Sequence, residues 1–225
     1  MKPSRYLARD ITPEGKEIVL YVRDGVYSLR VDGLELMSSR AHGSEEALAE
    51  MACQDLEGHP GPRVLVAGLG FGYTLRAALD RLPANARVIV CEVFDLLIDW
   101  NRGVLGDLAG RPLEDPRVET TAADVWELLG GPERFDAVLL DVDNGPWAFT
   151  LSSNRRLYTR EGLVRLAESL AAPGRFAVWS CERAPEFERR LRRAGFAVET
   201  RRVPARGSRG PRHTLIGGSR SGTDL

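Results

Sequence analysis

The order of hydrophobic and polar positions divides the chain into two regimes. Residues 17–36 run apolar in short bursts, EIVLYV, VYSLRV and LELM, separated by Asp24-Gly25 and Asp32-Gly33. Asp-Gly between strand-like runs is a hairpin signal, so residues 1–40 are expected to form a small antiparallel β extension. Ser44 then reads as a helix N-cap, with Ala47, Leu48, Met51 and Ala52 sharing one face of the helix that follows. His59-Pro60-Gly61-Pro62 breaks that helix. From residue 63 onward the period alternates. VLVAG precedes a helix over 73–82, RVIVCE one over 94–105, VETTAAD a short one at VWELL, FDAVLLD a loop and a helix at REGLVRLAESL, and RFAVWS a helix at PEFERRLRRA. Such alternation predicts a doubly wound, mostly parallel sheet with helices on both faces. The last two strand candidates, FAVETRRV and RHTLIGG, are joined by the Gly/Arg-rich PARGSRGP with no helix between them. They are therefore expected to pair antiparallel, giving seven strands with one reversed. The domain is placed at 41–217, and residues 218–225 are expected to be a disordered tail.

Chemistry concentrates where these strands end. RVLVAGLGFGYTLRAAL, residues 63–79, is a buried strand, a turn carrying Gly68, Gly70 and Gly72, and a helix opening near Tyr73. Glycines let the backbone approach a ligand with no Cβ in the way. About twenty residues on, the second strand closes in Glu92, an acid able to accept two hydrogen bonds from ribose hydroxyls. Tyr73 stands where a dinucleotide fingerprint has its third glycine. The turn therefore fits a nucleoside ligand without pyrophosphate, such as S-adenosylmethionine, better than NAD. Asp124, with Val125 and Trp126, follows the third strand. It is suited either to the adenine amino group, with Val125 covering the ring, or to capping the next helix.

The fourth strand ends in DVDNGPW, residues 141–147. Two carboxylates there, Asp141 and Asp143, suit an amine: their charge attracts an ammonium, and one of them can act as the base that frees its lone pair. Asn144 and Trp147 are candidate substrate contacts in the same loop.

These segments resemble the spermidine synthase family, within the class I S-adenosylmethionine-dependent methyltransferase superfamily. LRVDGLELMSSRAHGSEEALAEMAC is similar to that family's N-terminal hairpin and first helix. The resemblance implies that Glu92 binds ribose, that Asp124 lies near adenine and that Asp141 deprotonates the attacking amine. It also places Tyr158, in RRLYTREGL, in a substrate wall with Trp147. Two departures stand out. The family's GGGDGG turn, whose Asp holds the amine end of decarboxylated S-adenosylmethionine, is here AGLGFG with Phe71 at the acid's place, and its DSSDPxGP loop is DVDNGPW. With that Asp gone, ordinary S-adenosylmethionine becomes the easier donor. The expected activity is then group transfer, methyl first, to a small amine. The alternatives are aminopropyl transfer from the decarboxylated donor and a non-catalytic or RNA-binding role.

Composition changes this picture little. With 43% apolar and 28% charged residues the chain can bury a full core. A net charge of −1 gives no pull toward nucleic acid or membrane, and the arginine-rich stretch 189–212 reads as a solvated face. The three histidines lack metal-ligand spacing; His42 lies beside the segment expected over the active site and is a candidate substrate contact. Cys53, Cys91 and Cys181 are odd in number and far apart. That argues against disulfides and zinc and for a reducing, cytoplasmic compartment. The start has no apolar core of a secretory signal, and no run is long enough to span a bilayer. The partners expected are a small-molecule substrate and, as an open alternative, a second copy in a homodimer.

Overall fold

A computed structural model describes residues 4–12, 15–142, 145–147, 152–206 and 209–220. The opening meander is a four-stranded antiparallel sheet: β1 (Arg5–Ile11), β2 (Glu17–Arg23), β3 (Val26–Val31) and β4 (Leu34–Ser38), in that order. Both Asp-Gly pairs sit at its turns with positive φ, 50° and 78° at Asp24-Gly25, 48° and 80° at Asp32-Gly33. These are the angles of a hairpin turn whose twist matches its strands.

After α1 (Gly43–Cys53) come β5 (Arg63–Ala67), α2 (Tyr73–Leu79), β6 (Arg87–Glu92), α3 (Asp95–Arg102), β7 (Val118–Ala122), α4 (Val125–Leu128) and β8 (Phe135–Leu140). The chain ends with α5 (Arg160–Ser169), β9 (Leu170–Ser180), α6 (Pro185–Arg193), β10 (Phe196–Arg206) and β11 (Arg209–Arg220). The second sheet has seven strands in the order β10-β11-β9-β8-β5-β6-β7. Pairing is parallel from β9 to β7, while β11 runs antiparallel to both β9 and β10. This is the doubly wound sheet with one reversed strand that the alternation predicts.

Strands covered on both faces read as continuous apolar runs, and their side chains divide by parity. Val64 and Val66 join Leu48, Met51 and Leu75 on one face, whereas Leu65 and Ala67 join Phe135, Val138 and Leu163 on the other. A third buried cluster fastens the N-terminal sheet to the domain: Ile18, Leu20, Leu29 and Val31 pack with Phe71, Phe94, Leu97 and Leu105. Phe71, in the glycine turn, is therefore a docking residue for that sheet.

Three local readings need correction. Helix α1 starts two residues early, with His42 rather than Ser44 at its N-cap; the Ser44 side chain makes no cap and turns instead to tertiary partners. PARGSRGP is mostly strand, since Pro204 pairs with Arg212 and Arg206 with Arg209 in a long hairpin. Its Gly/Arg composition hides an edge held by register. The sheet also continues past residue 217, with Gly218 and Ser219 paired to both neighbours. Among the described residues no helix is long and apolar enough to cross a membrane.

Candidate active site

In an open parallel sheet the ligand crevice lies beyond the carboxyl ends of the strands, where the winding reverses. Here β5 leads to β6 and β7 on one side, and β8 lies on its other side. The turn after β5 and the loop after β8 meet there. Gly68 has φ +90°, and a Cβ on it would collide with the Asp141 carbonyl oxygen. The backbone N–H of Asp141 donates to Ala67 O at 2.9 Å, and that of Gly68 to Cys91 O at 2.9 Å. Gly72, at φ +84°, leaves only 3.1 Å between a would-be Cβ and Asn101. Only glycine suits both places.

A cavity opens at this point. It is lined by the glycine turn, by Glu92, Asp141 and Asn154, by Glu45 and Trp179, and by Met37 and Ala41 from the N-terminal side. A side recess continues past Gly68 and Glu92 to Cys91, Ala123, Asp124 and Val125. Asn154 lines both spaces.

Glu92 is 7% exposed at the end of β6. Its Oε2 accepts from Leu69 N and its Oε1 from Phe94 N, both at 3.0 Å. Burial pushes its carboxyl above the usual range, while the N–H groups of Leu69 and Phe94 pull the other way. The N–H groups of Val93 and Gly70 also act on it in the same direction. Asp124 does two things: Oδ1 accepts from Trp126 N at 2.9 Å, capping α4, and Oδ2 pairs with Arg156 at 2.7 Å. The capping alternative is thus present in the structure, and the same residue also lines the recess, beside buried Val125.

Asp141 accepts a short hydrogen bond, 2.5 Å, from the Thr74 hydroxyl in the first turn of α2. Burial raises its carboxyl to about 6, opposed by the Thr74 bond and reinforced by the charge of Glu92. Glu45, in the first turn of α1, is raised to about 7, first by burial and then by the charge of Asp141. Three carboxyl groups therefore face one cavity, and among its described lining residues there is no Lys, Arg or His.

Protonated carboxyls inside a fold carry a definite sign. Glu45 and Asp141 hold protons in the folded chain at a pH where an unfolded chain has released them. Between roughly pH 4 and 7 the folded state binds more protons, so unfolding free energy falls as pH rises. Glu45→Gln should remove its share of that slope. Thermal midpoints measured from pH 4.5 to 8 should show the variant gaining on the wild type as pH rises; a difference constant with pH would show that Glu45 carries no such proton.

The other candidates are spread out. His42 stacks on Tyr73 with ring centroids 4.3 Å apart, and its Nδ1 is 2.7 Å from Glu46, so it stands behind the cavity wall formed by Tyr73. Tyr158 is 4% exposed and packs edge-on against Phe187 in the core layer below the sheet, away from the cavity lining where it was expected. Trp147 closes a short 3-10 turn, Gly145–Trp147. Asp143 and Asn144 lie outside the described residues. Glu45, Thr74, Asn154 and Trp179 were missed. Only Thr74, within the turn segment, had a local signal; the others reach the cavity from distant parts of the chain.

No family model matches the sequence, and no curated protein matches it. Solved structures do. The chain is similar to spermidine synthase from Thermotoga maritima, with a TM-score of 0.75 and 20% identity over 96% of this chain and 73% of that one. It is also similar to a spermidine synthase in complex with the transition-state analogue AdoDATO, with a TM-score of 0.77 and 21% identity over 96% and 74% of the two chains. The protein has the spermidine synthase-like form of the class I methyltransferase fold.

Proposed function

We propose that this protein transfers an aminopropyl group from decarboxylated S-adenosylmethionine to an amine of a small polyamine-type acceptor. The carrying observation is the charge of the cavity: Glu45, Glu92 and Asp141 line it, with no basic residue among its described lining. Ordinary S-adenosylmethionine would bring its own carboxylate into this space, and a buried charge without a counter-charge is costly. The decarboxylated donor brings a sulfonium and an ammonium, and the acceptor brings further ammonium groups; all are complementary to the lining. This reverses the order expected from Phe71. That residue is held in the apolar cluster under the N-terminal sheet, while acids supply the negative charge from α1 and β8. The likeness to a spermidine synthase bound to a transition-state analogue supports the same reading.

The residues then have these roles. Glu92 accepts the ribose hydroxyls. The recess by Asp124 and Val125 takes the adenine, and Gly68, Gly70 and Gly72 let the donor lie against the backbone. Asp141 holds the acceptor ammonium and takes one of its protons. The freed lone pair attacks the methylene carbon next to sulfur, the carbon–sulfur bond breaks with its electrons going to sulfur, and methylthioadenosine leaves. The sulfonium is already activated, so the protein's contribution is alignment in a dry site. Asp143 and Asn144, next along the loop, are proposed to support the acceptor. The arginines of 189–212 do not call for a nucleic-acid partner: Arg192 pairs with Glu188, and Arg201 with Glu50 and Glu199.

The by-product decides the reading. Incubated with each donor and a panel of diamines, the protein should release methylthioadenosine from the decarboxylated donor. Formation of S-adenosylhomocysteine from ordinary S-adenosylmethionine at a comparable rate would overturn aminopropyl transfer in favour of methyl transfer.

A further inference from the structure

Ser44 is fully buried, and its hydroxyl meets three polar groups. Its oxygen is 2.5 Å from Glu45 Oε2, 2.9 Å from His213 Nδ1 and 3.0 Å from Trp179 Nε1. A hydroxyl has one hydrogen and two lone pairs, and an indole N–H can only donate. Trp179 therefore always occupies one lone pair. One hydrogen and one lone pair remain to be divided between Glu45 and His213, which leaves two arrangements. In the first, Glu45 is ionised, Ser44 donates to it, and His213 donates its Nδ1–H to Ser44. In the second, protonated Glu45 donates to Ser44, and Ser44 donates to a bare Nδ1, so that the imidazole proton sits on Nε2. The protonation of Glu45 thus dictates the tautomer of a histidine on β11.

We propose that Glu45, Ser44 and His213 form a proton relay that carries the proton lost by the acceptor amine out of the cavity. The relay rests on the amine-transfer reading above. Its steps balance. Starting from the second arrangement, Glu45 gives its proton to the Ser44 oxygen while the original hydroxyl proton passes to Nδ1, leaving a carboxylate and an imidazolium. The imidazolium then releases the Nε2 proton to water, which yields the first arrangement. Glu45, emptied in this way, takes the amine's proton from Asp141 in the same cavity, and His213 returns to its Nε2–H form by losing the Nδ1 proton to water and gaining one on Nε2, which restores the second arrangement.

Geometry gives the path an inside and an outside. Glu45 lines the cavity beside Asp141, and His213 is half-buried, so its ring reaches solvent. The groups facing Glu45 are Asp141 across the cavity, Glu46 on its own helix and Tyr73 on α2. His213 faces Ser44 and the edge of Trp179, with centroids 4.6 Å apart. Burial holds the imidazole below its usual pKa, which favours release once it is charged.

The test follows the ring nitrogens of the full chain, labelled with 15N-histidine, from pH 5.5 to 8.5; loss of one set of signals in His213→Gln assigns them. The wild type should pass from Nδ1–H to Nε2–H as pH falls, before the ring itself charges. Glu45→Gln should abolish that exchange, and Ser44→Ala should uncouple His213 from Glu45. A single tautomer throughout, or an exchange that survives Glu45→Gln, would overturn the relay. In turnover, Ser44→Ala and His213→Gln should each lose roughly tenfold near pH 7 with KM unchanged, a loss that added imidazole partly restores. Coupled nitrogens with no transfer to any amine would overturn the function and the relay's cargo with it. Active enzyme with uncoupled nitrogens would overturn the relay alone.

Discussion

Asp141→Asn should lower turnover by roughly 10²-fold or more, the range for a positioned general base, while donor affinity stays within a few-fold of wild type. The substitution preserves shape: the Thr74 hydroxyl, 2.5 Å from Oδ2, still finds an oxygen acceptor. What it removes is the charge that gathers the ammonium and the site that takes its proton. A carboxyl held at about 6 by burial is a stronger base than a free one and still ionised at neutral pH. The loss should appear in kcat under saturating donor, and donor affinity measured by calorimetry should barely move. Intact turnover would show that the base lies elsewhere and that the loop acid only ties β8 to α2.

The second large effect is on binding. Glu92→Ala should weaken methylthioadenosine at least tenfold by calorimetry, because two charge-assisted hydrogen bonds to ribose hydroxyls, each worth roughly 1.5–3 kcal/mol, are lost. The same carboxylate holds the N–H groups of Leu69 and Phe94. The alanine variant strands both, at about 1–3 kcal/mol for each buried donor, so its thermal midpoint should fall as well. Glu92→Gln, which keeps one acceptor oxygen, separates the effects: it should recover part of the stability and less of the affinity. Unchanged affinity in either folded variant would remove Glu92 from the donor site.

Much of this site was legible because its acids close apolar strands. Glu92 and Asp141 end β6 and β8 just where alternation places a crevice, and the glycines announce a turn that must come close to another backbone. Asp124 was open between two uses because both need an oxygen at a helix start; the structure adds a third partner, Arg156, from 32 residues away. Glu45 carried no such mark. In sequence it is one of two acids opening a helix, where the helix dipole already accounts for a solvated glutamate, and only tertiary packing turns it inward beside Asp141. Ser44 misled for a related reason: a serine at a helix start is normally a cap, and here Trp179 and His213, more than 130 residues away, claim its hydroxyl. The antiparallel pairing of β10 and β11 was legible, whereas its extension through PARGSRGP was hidden by glycine and proline, which strands use sparingly.

The contact between Gly68 and the Asp141 carbonyl separates what this scaffold can vary from what it cannot. Turn and acid abut backbone to backbone, with no side chain between them to trim, so any shift of one displaces the other. On the proposed function, donor recognition and proton abstraction are thereby welded into a single part. The proposed acceptor's far end would meet a different part: Met37 and Ala41 reach the cavity from the four-stranded sheet and the segment just after it, and that sheet packs on the domain through an apolar cluster of its own. Natural drift or a designed graft can therefore re-cut that sheet to measure a longer or shorter acceptor, with the reacting centre left as it stands.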